Sequence, residues 1–154
     1  MESIKEIFKI GYGPSSSHTM GPAIASKKFL VKNQNATNFK CILYGSLART
    51  GRGHLTDYII KKTFQNKKID IIFDYDKVYN YHPNAMQFYA YNGDILIDEW
   101  LVFSVGGGSL KELNEKRSLF NKMIYPHQKM NEILDYTKKF NLSFVDYILK
   151  YEGE

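Results

Sequence analysis

The chain has 154 residues, a formal net charge of +5 at pH 7 and a hydrophobic content of 44%. This length predicts one compact domain with at most a small appendage. No apolar run approaches the length of a membrane span, and no signal peptide is recognisable, so we expect a cytoplasmic protein without a membrane partner. The single cysteine, Cys41, excludes an internal disulfide framework. The lysines are scattered rather than clustered, which argues against a nucleic-acid partner.

Hydrophobic periodicity predicts an α+β fold, in which a mixed or antiparallel sheet carries helices packed on it. The predicted strands cover residues 39–44, 69–73, 86–91 and 95–104, and the predicted helices cover residues 1–10, 21–32, 55–64, 127–140 and 144–150. An Asn92-Gly93 turn should join the last two strands as a hairpin. The final helix has an apolar side that nothing later in the sequence covers, which predicts a partner or a further domain.

The first functional candidate is a loop bounded by glycine and proline, residues 11–22. Its polar residues are Ser15, Ser16, Ser17, His18 and Thr19. If a helix opens within residues 19–22, its free amides and positive dipole end would form an anion pocket with His18 at the rim. The alternative is a simple turn with a serine or threonine as helix cap.

A second glycine-rich loop is predicted over residues 44–57, directly after the first strand. It ends at His54, which would lie just before or within the first turn of the next helix. A histidine at the N-terminal end of a helix is disfavoured as a cation, so His54 is a candidate proton acceptor. Arg49 and Arg52 are candidates for binding an anion. The alternative is an ordinary strand–loop–helix turn with surface arginines.

A third histidine, His82, precedes the hairpin together with Asn84, which would bring it to one edge of the sheet. The alternative is a partly exposed turn residue beside proline. A metal site formed by the three histidines has spacings that fit no compact ligand pattern, so no metal ligand is predicted. A serine hydrolase is a further alternative, but the chain lacks a Gly-x-Ser-x-Gly elbow.

Residues 9–22 and 44–57 together resemble the beta subunit, or N-terminal beta domain, of the iron–sulfur-dependent L-serine dehydratases. Residues 82–86 and 103–108 fall where that family has its His-x-Asn-x-Met and Gly-Gly-Gly stretches, so the resemblance covers most of residues 3–110. The resemblance also implies a fold similar to the allosteric-substrate-binding domain of a phosphoglycerate dehydrogenase.

The resemblance further implies a beta domain over residues 1–124 and a helical junction over residues 125–154 that leads toward a catalytic alpha domain or subunit. The implied reaction converts L-serine to pyruvate and ammonia with a 4Fe–4S cluster that acts as a Lewis acid. Because cluster ligation needs several thiolates and this chain has one, the cluster would be held by the alpha part. The chain would then be inactive alone. A homodimer is a further expectation.

Carried over by motif, His54 is the expected base that removes the α-proton, and His18 is a second catalytic residue. The residues expected to bind substrate or support the site are Ser15, Ser16, Ser17, Thr19, His82 and Asn84. The alternative function is a non-catalytic domain that binds a small amino acid or anion, or that serves in assembly.

Overall fold

The computed structural model describes residues 3–6, 9–113 and 123–153. The chain divides into two compact units, one formed by residues 10–115 and the other by residues 1–9 and 116–154. The helix predicted over residues 1–10 lies partly outside the described residues, and its described part contains a 3₁₀ turn over Ile4–Glu6. None of the described helices is long and apolar enough to cross a membrane.

The larger unit contains a five-stranded sheet in the order β2-β1-β3-β4-β5. Its strands are β1 (Asn38–Tyr44), β2 (Lys68–Asp74), β3 (Ala85–Asn92), β4 (Ile95–Gly106) and β5 (Ser109–Lys111). β1 and β2 run parallel, and the other neighbours pair antiparallel. The predicted α+β fold with a mixed sheet is therefore confirmed. The likeness to the phosphoglycerate dehydrogenase domain stays a prediction.

The larger unit also contains three helices: α1 (Gly21–Lys32), which precedes β1, and α2 (Gly45–Thr50) and α3 (Thr56–Phe64), which connect β1 to β2. Side chains alternate along a strand, so Phe39, Cys41 and Leu43 share one face of β1, and all three are buried in the main core. Phe29 of α1 and Ile60 of α3 pack in the same core. The Cys41 side chain is fully buried, and burial raises the pKa of its thiol, so it is an inert part of this core.

The loop predicted over residues 44–57 is wrong in its first half, because α2 begins immediately after β1. Gly45 has φ +54, and a Cβ there would collide with the carbonyl oxygen of Pro83. Glycine is therefore needed at this position for close packing rather than for loop flexibility. Leu47 is fully buried in the main core, which secures the short helix against the sheet.

Three chain segments meet at one edge of the sheet. β1 ends at this edge, β3 begins there, and β4 ends there, because β3 runs antiparallel to both neighbours. The start of α1 also reaches the edge, since a Cβ on Gly21 would overlap the Ser104 hydroxyl. The topology thus brings residues 11–22, α2 and the segment before β3 to one place.

The smaller unit contains α4 (Met130–Lys139) and α5 (Phe144–Glu152), which confirms the two predicted C-terminal helices. Its core contains Tyr125, Ile133 and Tyr147. Glu152 holds the N-terminal segment of this unit: its carboxylate accepts hydrogen bonds from the Ser3 hydroxyl at 2.6 Å and the Ile4 amide at 2.8 Å.

Candidate active site

The serine-rich loop contains a helical turn that the sequence analysis did not predict. A π-helical turn over Ser16–Met20 leads directly into α1, and Ser15 is its cap, since the Ser15 hydroxyl accepts from the His18 amide at 3.2 Å. α1 itself begins at Gly21, within the predicted opening at residues 19–22, and the π-helical turn adds a helical segment before it. As a result His18 lies inside this helical turn. The helix cap, Ser15, is therefore also one of the predicted site residues.

Thr19 fixes the path of this loop. It is 1% exposed, and its hydroxyl contacts the carbonyl oxygens of Tyr12, at 2.8 Å, and Ser15. The Ser15 amide donates back to the same hydroxyl at 3.1 Å. Ser16 is exposed and Ser17 is half-buried, so these two serines lie nearer to solvent than Thr19 does.

The structure brings His18 and His54 together, although 35 residues separate them in sequence. Their ring centroids are 4.9 Å apart, with an angle of 51° between the ring planes. A hydrogen bond also joins the two segments, because the Thr56 hydroxyl donates to the His18 carbonyl at 2.7 Å. His54 lies in the exposed turn before α3, and Leu55 after it has φ +60, a left-handed conformation that is uncommon for leucine.

Hydroxyl groups contact both ring nitrogens of His18. Thr50 Oγ1 lies 3.0 Å and Ser46 Oγ 3.2 Å from Nε2, while Ser17 Oγ lies 2.9 Å from Nδ1. Burial lowers the pKa of His18, nearby His54 lowers it further, and a hydrogen bond to the Ser46 backbone acts in the opposite direction. Near neutral pH the His18 ring is therefore uncharged.

Ser46 and Thr50 are site residues that the sequence analysis missed. They are four residues apart on α2, so they lie on the same helix face. The four-residue spacing of Ser46 and Thr50 indicates a shared face only if residues 45–50 form a helix. Because the sequence analysis predicted a loop there, it gave no reason to group these two hydroxyls.

The segment before β3 reaches the same edge of the sheet, as predicted. The Pro83 carbonyl accepts from the Ser46 amide at 2.9 Å, and the Asn84 side-chain amide donates to the Ser104 carbonyl at 3.2 Å. Asn84 is 8% exposed, and its Oδ1 has no hydrogen-bond partner among the described residues. Asn84 therefore links the segment before β3 to the end of β4.

The described hydrogen bond of His82 lies within its own segment. Its Nδ1 accepts from the Asn84 amide at 3.2 Å. Burial lowers the pKa of His82, and the positive charge of Lys111 on β5 lowers it further. The segment thus reaches the predicted edge, but the described ring contacts of His82 are with this segment and not with His18 or His54.

The two arginines predicted as anion ligands have other contacts. The Arg49 guanidinium donates to the Tyr75 carbonyl at 3.3 Å, and the Arg52 guanidinium lies 4.8 Å from the centre of the Phe73 ring. Phe73 and Tyr75 are at the end of β2 and just after it. Both arginines therefore pack toward β2 in this structure.

The donor set of this chain does not fit an iron–sulfur cluster. Iron–sulfur clusters are held mainly by cysteine thiolates, and the only cysteine, Cys41, is buried in β1. Within residues 3–6, 9–113 and 123–153 no group of three or more histidine, cysteine, aspartate or glutamate side chains is placed to hold a metal ion. The site residues of this chain are the exposed imidazole of His54, an uncharged histidine beside it and several hydroxyls.

Comparison with known proteins assigns these residues to a family. Residues 3–62, which include the serine-rich loop and both paired histidines, match the serine dehydratase beta chain family. The chain is 27% identical to L-serine dehydratase 2 of Escherichia coli (strain K12) across 99% of its length, covering 43% of that protein. It is 30% identical to L-serine dehydratase of Helicobacter pylori (strain J99 / ATCC 700824) across 95% of its length, covering 42% of that protein.

A shorter and more similar stretch is shared with L-serine dehydratase of Haemophilus influenzae, at 48% identity over 66 residues, which is 39% of this chain and 14% of that protein. The chain spans less than half the length of these curated relatives. The family match over residues 3–62 and the relatives that align with most of the chain together support an L-serine dehydratase beta domain in this protein.

Proposed function

We propose that this chain is the beta subunit or beta domain of an L-serine dehydratase, which converts L-serine to pyruvate and ammonia. The observation that carries the proposal is the convergence of His18 and His54, 4.9 Å apart, within residues that match the beta chain family. In this proposal residues 1–124 form the beta domain, and residues 125–154 lead toward the alpha part.

His54 is the base that removes the α-proton of L-serine. Its ring lies in an exposed turn, where a ligand can reach it. The α-proton passes to an imidazole nitrogen, the electron pair of the C–H bond forms the Cα=Cβ double bond, and hydroxide leaves the β-carbon. The resulting aminoacrylate tautomerises to an imine, and water hydrolyses the imine to pyruvate and ammonia.

His18 supports this step as an uncharged neighbour. A cationic ring so close to His54 would oppose protonation of His54, because like charges repel. The lowered pKa of His18 avoids this conflict. Ser15, Ser16 and Ser17 bind the polar groups of the substrate at the first helical turn, where free amides and the helix dipole favour a carboxylate.

The chain acts together with an alpha subunit or domain that holds the 4Fe–4S cluster. Two observations support a partner: this chain lacks thiolates for a cluster, and it spans less than half the length of the dehydratases it resembles. Thr19, His82 and Asn84 then order the edge that the partner completes, since each binds the backbone around the site.

The test is pyruvate formation from L-serine under anaerobic conditions, with this chain and a cluster-loaded alpha part from the same source assayed separately and together. We expect pyruvate only from the mixture. A verified cluster-loaded partner that stays inactive with this chain, or that is equally active without it, would reject the proposal. The non-catalytic binding domain would then replace it, and L-serine binding to the chain alone would be measured.

A further inference from the structure

Two hydroxyls of α2 lie against a single ring nitrogen of His18. Thr50 Oγ1 is 3.0 Å and Ser46 Oγ 3.2 Å from Nε2. A histidine has two neutral tautomers, and the hydrogen bonds at its nitrogens select between them. The partners of these hydroxyls therefore determine the tautomer of His18.

The Thr50 hydroxyl has a carbonyl acceptor within α2, because the Ser46 carbonyl oxygen lies 2.8 Å away. A hydroxyl has a single proton, so a Thr50 hydroxyl that donates to this carbonyl accepts from His18. Nε2 must then carry the ring hydrogen. Nδ1 is unprotonated, and it accepts the hydrogen bond of the Ser17 hydroxyl at 2.9 Å.

We propose that Thr50 and Ser46 are positioning residues that hold His18 as its Nε2–H tautomer. The hydrogen bonds then run in one direction, from Ser17 through His18 and Thr50 to the Ser46 carbonyl. Ser17 donates its only proton to His18, so its remaining lone pairs accept from a ligand donor such as the ammonium group of an amino acid. The tautomer follows from the contacts alone, whereas the nature of the ligand rests on the proposed function.

The test is nitrogen NMR of the histidine rings in the ¹⁵N-labelled full chain at pH 8, with His18 assigned from the spectrum of a His18→Gln variant. We expect the His18 signals of a protonated Nε2 and an unprotonated Nδ1. In Thr50→Val the Nδ1 signal should move toward that of a protonated nitrogen, with a larger shift in the Ser46→Ala/Thr50→Val double variant. Thr50→Ser, which keeps the hydroxyl, should restore the wild-type signals.

Thr63→Val is the matched control. The Thr63 hydroxyl makes the same bond within α3, to the Ile59 carbonyl at 2.8 Å, and its described contact is with that carbonyl rather than with a histidine. This variant should leave the His18 signals unchanged. A wild-type His18 with its hydrogen on Nδ1 would overturn the proposal, as would a folded double variant with unchanged signals. Fold retention is checked in the amide spectrum of each variant.

This measurement is independent of the reaction, because it needs neither L-serine nor a partner. If the mixture with the alpha part makes no pyruvate but the variants shift as expected, the tautomer inference stands and the proposed function fails. If pyruvate forms but the double variant leaves His18 unchanged, the proposed function stands and the inference fails.

Discussion

His18 in the larger unit and His127 in the smaller unit have similar local hydrogen bonds but different surroundings. Each has its Nδ1 2.9 Å from a hydroxyl, that of Ser17 or of Tyr147. The His127 ring packs against the rings of Tyr136 and Tyr147, at centroid distances of 4.8 and 5.7 Å. His18 instead has a second set of hydroxyls at Nε2 and a second histidine beside it.

The difference shows that one hydrogen-bonded histidine does not make a site. His127 joins tyrosines in the packing of a helical unit, where ring contacts stabilise the fold. His18 lies where α1, α2 and the turn before α3 converge on one edge of the sheet. Chemistry is therefore expected where polar groups converge at that edge, and not at an isolated histidine.

The largest effect is expected for His54→Ala in the assembled enzyme. Removal of a general base commonly lowers the rate by about 10²–10⁴-fold, so kcat for pyruvate formation should fall by that order. His127→Ala, which removes a histidine from the helical unit, is the matched control and should keep kcat close to wild type. Equal losses in the two variants would contradict the contrast between the two regions.

A smaller effect is expected for Gly45→Ala, which tests how tightly the site edge is packed. An alanine there has an unfavourable positive φ, and its Cβ collides with the Pro83 carbonyl. We expect a loss of about 1–3 kcal/mol in the free energy of unfolding, measured by urea denaturation. Gly53→Ala is the control, because a Cβ at position 53 would lie 3.5 Å from the Thr50 carbonyl oxygen, which is its nearest neighbour. Equal stability of the two variants would show that α2 is not held in this way.

In the smaller unit, Tyr147→Phe removes the hydroxyl that binds His127. Loss of one hydrogen bond should lower the free energy of unfolding by about 1 kcal/mol, without a change in kcat of the assembled enzyme. Tyr58→Phe on α3 is the control, since this phenol side chain is 56% exposed. A Tyr147→Phe variant that loses activity while it keeps its stability would place the helical unit in the reaction.

The smallest effect is a pH dependence that separates the two regions. The pKa of His18 is lowered from 6.5, so below pH 6.5 the unfolded chain takes up a proton that the folded chain does not. Stability from this group is therefore complete above pH 6.5 and falls as the pH drops toward the lower folded pKa. His18→Gln should remove this part of the slope in urea denaturation, and an unchanged slope would contradict the assignment.

Glu152 in the smaller unit should respond at a more acidic pH. Burial opposes the change, but hydrogen bonds from Ser3, Tyr125 and the Ile4 amide lower the pKa of Glu152 below 4.5. Its stabilising contribution is thus complete above pH 4.5 and is lost as the pH falls through the lower folded pKa. Glu152→Gln should change the pH slope of stability only in that acidic range, and a changed slope near pH 6 would contradict this separation.

The sheet was predictable because its strands have strong local signals. Alternation in residues 86–91 and the Asn92-Gly93 sequence indicate the β3–β4 hairpin without tertiary information. In the structure Asn92 pairs with Ile95, so the turn is formed by Gly93 and Asp94 rather than by Asn92 and Gly93. The short β5 was missed, because three residues after a run of glycines carry no periodic pattern. α2 was missed because its glycine suggested a loop, whereas that glycine is required by close contact with Pro83, which only the folded chain reveals.

The two histidine-bearing segments were found from sequence, but the reason they cooperate was not. Residue type and glycine context indicated His18 and His54, and the parallel pairing of β1 with β2 leaves α2 and α3 on the connection between them. The contacts of Ser46 and Thr50 with His18 depend on a helix that the sequence analysis did not predict. Long-range contacts of this kind follow from packing rather than from local pattern.

The most direct test of the central claim is a competition assay. Wild-type chain and His54→Ala chain are mixed in varied proportions before a limiting amount of the cluster-loaded alpha part is added, and pyruvate formation from L-serine is measured. If this chain supplies the base of a shared site, the His54→Ala chain binds the alpha part and forms an inactive complex. The rate of pyruvate formation should then fall in proportion to the fraction of variant in the mixture. A rate that does not fall as the variant replaces wild-type chain would contradict the claim.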